Sequence, residues 1–228
     1  MTWRDWWAMG RMSNLPSVVS NVLAGAALAG TQDGLLLGCL VLAAGCLYVG
    51  GAFLNDWADV GWDKVHRPER PLPQGKLLPW MLLLMAANLL LAGVVTCVTV
   101  DPAAGPWGLA LLAAIVLYTW SHRRTALALL PMGLCRAFLY PLGALGQGSG
   151  LLWAGAAGLA VYVMALTWWA RRESEVRRRR PQVEGALAGI CLYDALVLLL
   201  AGVAAGPIAL ALGLFGLSFL LQKAISGT

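Results

Sequence analysis

Charge is what this sequence has least of. Lys, Arg, Asp and Glu make up 12% of its 228 residues, while apolar residues make up 60%. A soluble domain carries about 25% charged residues, so the balance excludes a water-soluble protein and marks an integral membrane protein. Histidine occurs only twice, and no metal cluster of His is visible. The five cysteines, Cys39, Cys46, Cys97, Cys135 and Cys191, all stand in apolar runs. They form no CxxC pair and are odd in number, which leaves them as small buried apolar side chains. The first apolar stretch lacks the form of a signal peptide. Three tryptophans precede it, and Ser13, Asn14, Pro16, Ser20 and Asn21 interrupt it. No internal repeat or broken helix pair points to a transporter. The only Asp-Gly pair, Asp33-Gly34, runs into leucines and so does not open the DG-x-x-AR motif of a CDP-alcohol phosphotransferase. The net charge of +5 does not imply nucleic acid, because the charges gather between apolar runs, as membrane topology requires.

What the chain does have is apolar runs. Eight are legible, at 12–29, 35–54, 77–98, 107–120, 126–145, 151–169, 183–204 and 206–221. Several are near the lower end of the ~17–25 residues that a crossing needs. The expected fold is all-α, a multi-pass transmembrane bundle of about eight helices in a single domain. Ahead of it, residues 1–11 carry Trp3, Trp6 and Trp7 with Arg4 and Arg11, an amphipathic interfacial lead-in. Most of the other tryptophans stand at span ends, as an aromatic belt does. With eight crossings, one side receives the N-terminus, the loops 55–76, 121–125 and 170–182, and the C-terminus. That side holds fifteen of the sixteen Lys and Arg residues, and the sixteenth, Arg136, lies inside the fifth run. The positive-inside rule puts the three charged loops in the cytoplasm, where they can share one site.

Polar chemistry is densest at 55–75, NDWADVGWDKVHRPERPLPQG. Asn55, Asp59 and Asp63 are spaced i, i+4, i+8, so they stack on one face if the second helix continues past Leu54. Carboxylates one turn apart can hold Mg²⁺, a hard cation that takes oxygen ligands, often including substrate phosphate. Asp56 falls about 100° off Asn55 and is the weaker candidate. The competing reading is a solvated acidic loop beside compensating Lys and Arg.

The combination Asn55-Asp56-x-x-Asp59-x-x-x-Asp63, then Arg67-Pro68-x-Arg70-Pro71-Leu72-Pro73-x-Gly75, resembles the first signature of the UbiA superfamily of intramembrane prenyltransferases. Tyr118-x-x-x-His122-Arg123-Arg124-Thr125 is similar to the region after that family's fourth helix. The resemblance implies a membrane prenyltransferase that uses an isoprenyl diphosphate and a small acceptor, with aromatic compounds among the candidates. It implies Asn55, Asp59 and Asp63 as catalytic Mg²⁺ ligands, and Arg67, Arg70, Arg123 and Arg124 against the diphosphate. The chain departs from the family after the sixth helix, where a second aspartate motif is expected. The loop there reads ARRESEVRRRRPQ, so Glu173 becomes a candidate ligand and Arg171 a candidate diphosphate contact. This shortened form resembles an EboC-like bacterial branch of the superfamily, and a cell-membrane location follows. It also motivates an alternative, a non-catalytic protein that binds or carries an isoprenoid or lipid precursor.

Polar residues inside apolar runs are functional candidates by default. Asn21 is either interhelical glue or a site residue. Arg136 either pairs with Asp194 or lines the cavity. Tyr118 and Tyr140 face the cavity or pack in the bundle. His66 and His122 are hydrogen-bond donors to phosphate or loop rather than bases.

Overall fold

Helix boundaries follow the chain's few polar and special residues. The computed structural model describes residues 1–123, 125, 128–173 and 180–226. The lead-in is α1 (Trp3–Met9), capped by Thr2 and Asp5 in a reciprocal box. A 3₁₀ turn (Met12–Asn14) joins it to α2 (Leu15–Ala29), with Arg11 in the left-handed region (φ 49°) at the junction. Asp33 caps α3 (Gly34–Ala58) by accepting from the Leu35 and Leu36 amides. After one residue the chain re-enters a helix, α4 (Val60–His66). Pro79 opens α5 (Pro79–Val100), and α6 (Gly105–Ser121), α7 (Leu129–Ala137), α8 (Leu139–Gly143), α9 (Gly150–Glu173), α10 (Arg180–Leu200) and α11 (Ala205–Ser226) complete the chain.

Among the described residues, six stretches are long and apolar enough to cross a membrane: Met12–Ala29, Gly34–Ala58, Pro79–Val100, Gly150–Ala170, Gln182–Leu200 and Ala205–Ala224. Two shorter apolar stretches, Gly105–Ser121 and Leu129–Gly143, fall at the fourth and fifth runs. Leucines such as Leu35, Leu84, Leu91, Leu200 and Leu220 point outward, the arrangement of an integral membrane protein rather than a soluble bundle.

The fifth run is two helices, not one. Pro141 has no amide proton for the Ala137 carbonyl four residues back, so the ladder fails where α7 passes to α8. Pro141, Leu142 and Gly143 lie buried against α2. A Cβ on Gly143 would strike the Val22 carbonyl, and one on Gly25 would strike the Tyr140 carbonyl. Only glycine lets these backbones meet.

One apolar cluster places the first charged loop. Leu72 packs with Met9, Phe53, Leu82 and Ala86, with Trp6 against them. Lys76 reaches back to Asp5 at 3.2 Å. The N-terminal helix and the loop after α4 therefore close over the end of α3.

Candidate active site

Asn55, Asp59 and Asp63 do stack, because the helical ladder survives the break. The Asp59 amide donates to the Asn55 carbonyl at 3.0 Å, Asp63 to Asp59 at 2.9 Å, and Arg67 to Asp63 at 2.8 Å. All three side chains are buried, at 6%, 7% and 2% exposure. The site is thus a buried polar cluster, not a solvated loop.

Each carboxylate meets a cation. Arg70 Nη1 lies 2.8 Å from Asp63 and 3.4 Å from Asp56, and Arg11 Nη2 lies 3.5 Å from Asp56. Arg123 Nε sits 2.6 Å from Asp59 Oδ1, and His122 Nε2 lies 3.0 Å from the same oxygen. Burial works to raise the Asp59 carboxyl, but the hydrogen bonds from His122 and Arg123 outweigh it and hold the group below its ordinary value. Three carboxylates therefore face three guanidinium groups from α3–α4, the loop after α4, the end of α6 and the N-terminal junction.

Asp56, the weaker metal candidate from the sequence, joins this cluster through its ion pairs with Arg11 and Arg70. Measured from Asn55 it is a quarter-turn away, but it stands seven residues from Asp63. That brings the two within about 20° on an ideal helix, close enough for Arg70 to bridge them.

Two oxygens in the cluster are left over. Among the described residues, Asn55 Oδ1 and Asp63 Oδ1 are buried without a hydrogen-bond partner, as is Thr119 Oγ1 nearby on α6. The other Asn55 atom, Nδ2, donates to Asp59 at 3.2 Å. Two helical turns, about 12 Å along a straight axis, separate Asn55 from Asp63. Among the described residues no three His, Cys, Asp or Glu side chains converge as a metal-holding group. What exists is a row of oxygens with two open ends.

Beneath the cluster lies an apolar cavity of about 340 Å³. Arg11, Asn55, Tyr118 and Arg136 are among its lining residues, with Ala44, Leu111 and Ile190 among the apolar ones. Tyr118 also stacks on His122, ring centroids 5.3 Å apart. A shallower hollow touches Asp59, His122 and Arg123 from the other side.

Other expectations change in detail. Arg67 is exposed and lies over the Trp62 ring at 5.3 Å. Arg123 lies over that ring at 4.3 Å, so Trp62 is part of the site and not only of an aromatic belt. Arg136 and Asp194 do not pair directly. Asn21 stands between them: its Oδ1 accepts from Arg136 at 3.3 Å, and its Nδ2 donates to Asp194 at 2.8 Å. Asn21 is fully buried, and its amide does what an interhelical tie does. Tyr140 is likewise buried and donates to Asp194 at 2.7 Å. Arg124 lies outside the described residues, as do the side chains of Arg171 and Glu173. Arg11 was legible only as a topological charge, because nothing local in its neighbourhood signals a contact 45 residues away.

Residues 18–181 match the family model of the UbiA prenyltransferase family. The digeranylgeranylglyceryl phosphate synthase of Ignicoccus hospitalis is 35% identical over 111 residues, covering 49% of this chain and 36% of that one. That of Methanoregula boonei is 33% identical over 122 residues, covering 53% and 42%. The chain thus matches well under half the length of these curated relatives. A solved UbiA homolog from Archaeoglobus fulgidus, bound to GPP and Mg²⁺, has a TM-score of 0.66 at 12% identity, over 98% of this chain and 87% of that one. A solved digeranylgeranylglyceryl phosphate synthase has a TM-score of 0.61 at 14% identity, over 97% and 92%. Both are likenesses of fold.

Proposed function

The chain belongs to the UbiA prenyltransferase family, and from that premise we propose that it moves a prenyl group from an isoprenyl diphosphate to a small acceptor. The observation that carries this reading is the pair of buried, unpartnered oxygens Asn55 Oδ1 and Asp63 Oδ1, set among carboxylates and guanidinium groups beside an apolar cavity. Buried acceptors without a donor are uncommon, and oxygen is the ligand that Mg²⁺ takes. The donor set fits that ion in kind: Asp59 would hold it together with Asn55 or with Asp63, each one helical turn away, because Asn55 and Asp63 stand about 12 Å apart along the axis, too far to share one ion. Bound there, it supplies positive charge against a departing diphosphate.

The remaining work falls to side chains of this chain. Arg70 and Arg123 offer guanidinium forks suited to phosphate oxygens, and Arg11 brings a third cation to the cavity edge. Arg67, Arg124 and Arg171 extend this basic set, and Glu173 adds a carboxylate, on sequence grounds. The cavity walls take the prenyl tail, at roughly 0.8 kcal/mol per buried CH₂, and keep water from the reacting carbon. The allylic carbon–oxygen bond breaks with its electron pair on the diphosphate. The acceptor then attacks the allylic cation and loses a proton. The names of the curated relatives suggest a glyceryl phosphate lipid as acceptor; an aromatic acceptor is the other form consistent with the chemistry. The distribution of Lys and Arg supports a site open to the cytoplasm.

Membranes carrying the chain, supplied with Mg²⁺ and geranyl, farnesyl or geranylgeranyl diphosphate, test the reading. Diphosphate release is expected, and Asp59→Ala and Asp63→Ala are each expected to abolish it. Retained turnover in both variants would sink the reading. Binding without any release would leave the carrier alternative standing.

A further inference from the structure

Arg136 has a role that the diphosphate chemistry does not use. It is 6% exposed and lines the apolar cavity, seven residues beyond Leu129 at the start of α7, about 10 Å along the axis from the helix end beside the 121–125 loop. Among the described residues its Nη1 makes two hydrogen bonds, to Ser17 Oγ at 3.0 Å and Asn21 Oδ1 at 3.3 Å. Its guanidinium carbon lies 5.4 Å from the Tyr48 ring centroid. Among the described residues, Nε and Nη2 have no acceptor and no carboxylate forms an ion pair with the group. Asp194 is reached only through Asn21, and its oxygens are already taken by Ser20, Asn21 and Tyr140. A cation with open N–H groups in an apolar wall is costly. It is worth holding where an anion comes to meet it, and guanidinium binds carboxylate and phosphate through two parallel bonds.

We propose that Arg136 is the acceptor-recognition residue and that it selects an acceptor carrying an anionic oxygen group, a carboxylate or a phosphate. This rests on the prenyl-transfer reading, which assigns the donor diphosphate to the Asp56–Asp59–Asp63 cluster. None of that cluster's ion pairs involves α7, so a second anion in the cavity is a separate ligand.

The test uses the full chain in nanodiscs of zwitterionic lipid, its donor site filled with geranyl S-thiolodiphosphate, a poor leaving-group analogue. Affinity is measured for dodecanoate against its methyl ester and for dodecyl phosphate against dodecanol, with empty nanodiscs subtracted. Wild type is expected to prefer the anion in at least one pair by about tenfold or more, and the larger preference identifies carboxylate or phosphate. Arg136→Gln should reduce the preference to less than about twofold, and Arg136→Lys should keep part of it. Donor-analogue affinity should stay unchanged in both variants. No preference in wild type, or a preference that survives Arg136→Gln, overturns the proposal. So does a loss of donor affinity in Arg136→Gln as large as the loss for the anionic probe. If Arg136→Gln does not fold, the wild-type pairs and Arg136→Lys decide. Failure of wild type to bind the donor analogue would count against prenyl transfer itself, and anion preference is then read without it.

Discussion

Asp59, Asp63 and Asp56 are held differently, and Asp63 and Asp56 should respond differently to loss of their charge. Asp59 has its oxygens engaged by His122 and Arg123, whereas Asp63 gives Oδ2 to Arg70 and leaves Oδ1 without a donor. Asp63→Asn keeps the shape but removes the charge that a divalent ion needs, so a drop in kcat of about 10²–10³ is expected, the scale of losing one transition-state electrostatic contact. Asp56→Asn leaves the open oxygens untouched, and its effect should stay within about tenfold. Steady-state rates of diphosphate release for the two variants check this, and equal losses would contradict it. The spacing of Asn55, Asp59 and Asp63 made their shared face readable because backbone geometry alone sets it. Arg11 and Asp56 were not readable as partners. Their contact depends on how α1 and the loop after α4 fold over α3, a long-range arrangement that no local pattern encodes.

At the scale of elements, the eight apolar runs were legible because hydrophobicity and length suffice to locate helices in lipid. What they did not reveal was the break at Pro141, although that proline was visible, or the use of its two flanking helices. α8 serves one contact, its backbone approach to α2 through Gly143 and Gly25, while α7 packs on α9. Gly143→Ala is expected to force these helices apart and to lower stability by about 1–3 kcal/mol, the usual cost of overpacking. Gly216→Ala in α11, where an added Cβ meets nothing, should keep stability or raise it by up to about 1 kcal/mol, because alanine favours the helix. Thermal unfolding in detergent distinguishes them, and equal midpoints would show that the α2–α8 approach is not tight. The Arg136–Asn21–Asp194 link makes the same point. All three polar residues stood out in apolar runs, but only the packing of α2, α7 and α10 shows that Asn21 joins the other two.

At the scale of the molecule, charge and greasiness divide the labour. The basic residues were legible as one face, and the structure brings the N-terminal junction, the loop after α4 and the end of α6 to a single cluster on it. Beneath lies the apolar cavity, so a ligand with an anionic head and an isoprenoid tail matches both halves at once. In the proposed reading the first cluster is the principal place for a metal, because the third charged loop reads ARRESEVRRRRPQ, without Asp. The most direct measurement is phosphorus-31 NMR of purified chain in nanodiscs with geranylgeranyl diphosphate and a phosphate- or carboxylate-bearing acceptor, with and without Mg²⁺. Free diphosphate and a prenylated acceptor are expected to grow in only when Mg²⁺ is present. Turnover at the same rate after removal of divalent ions with EDTA, or no diphosphate released at all, would contradict the proposed reading.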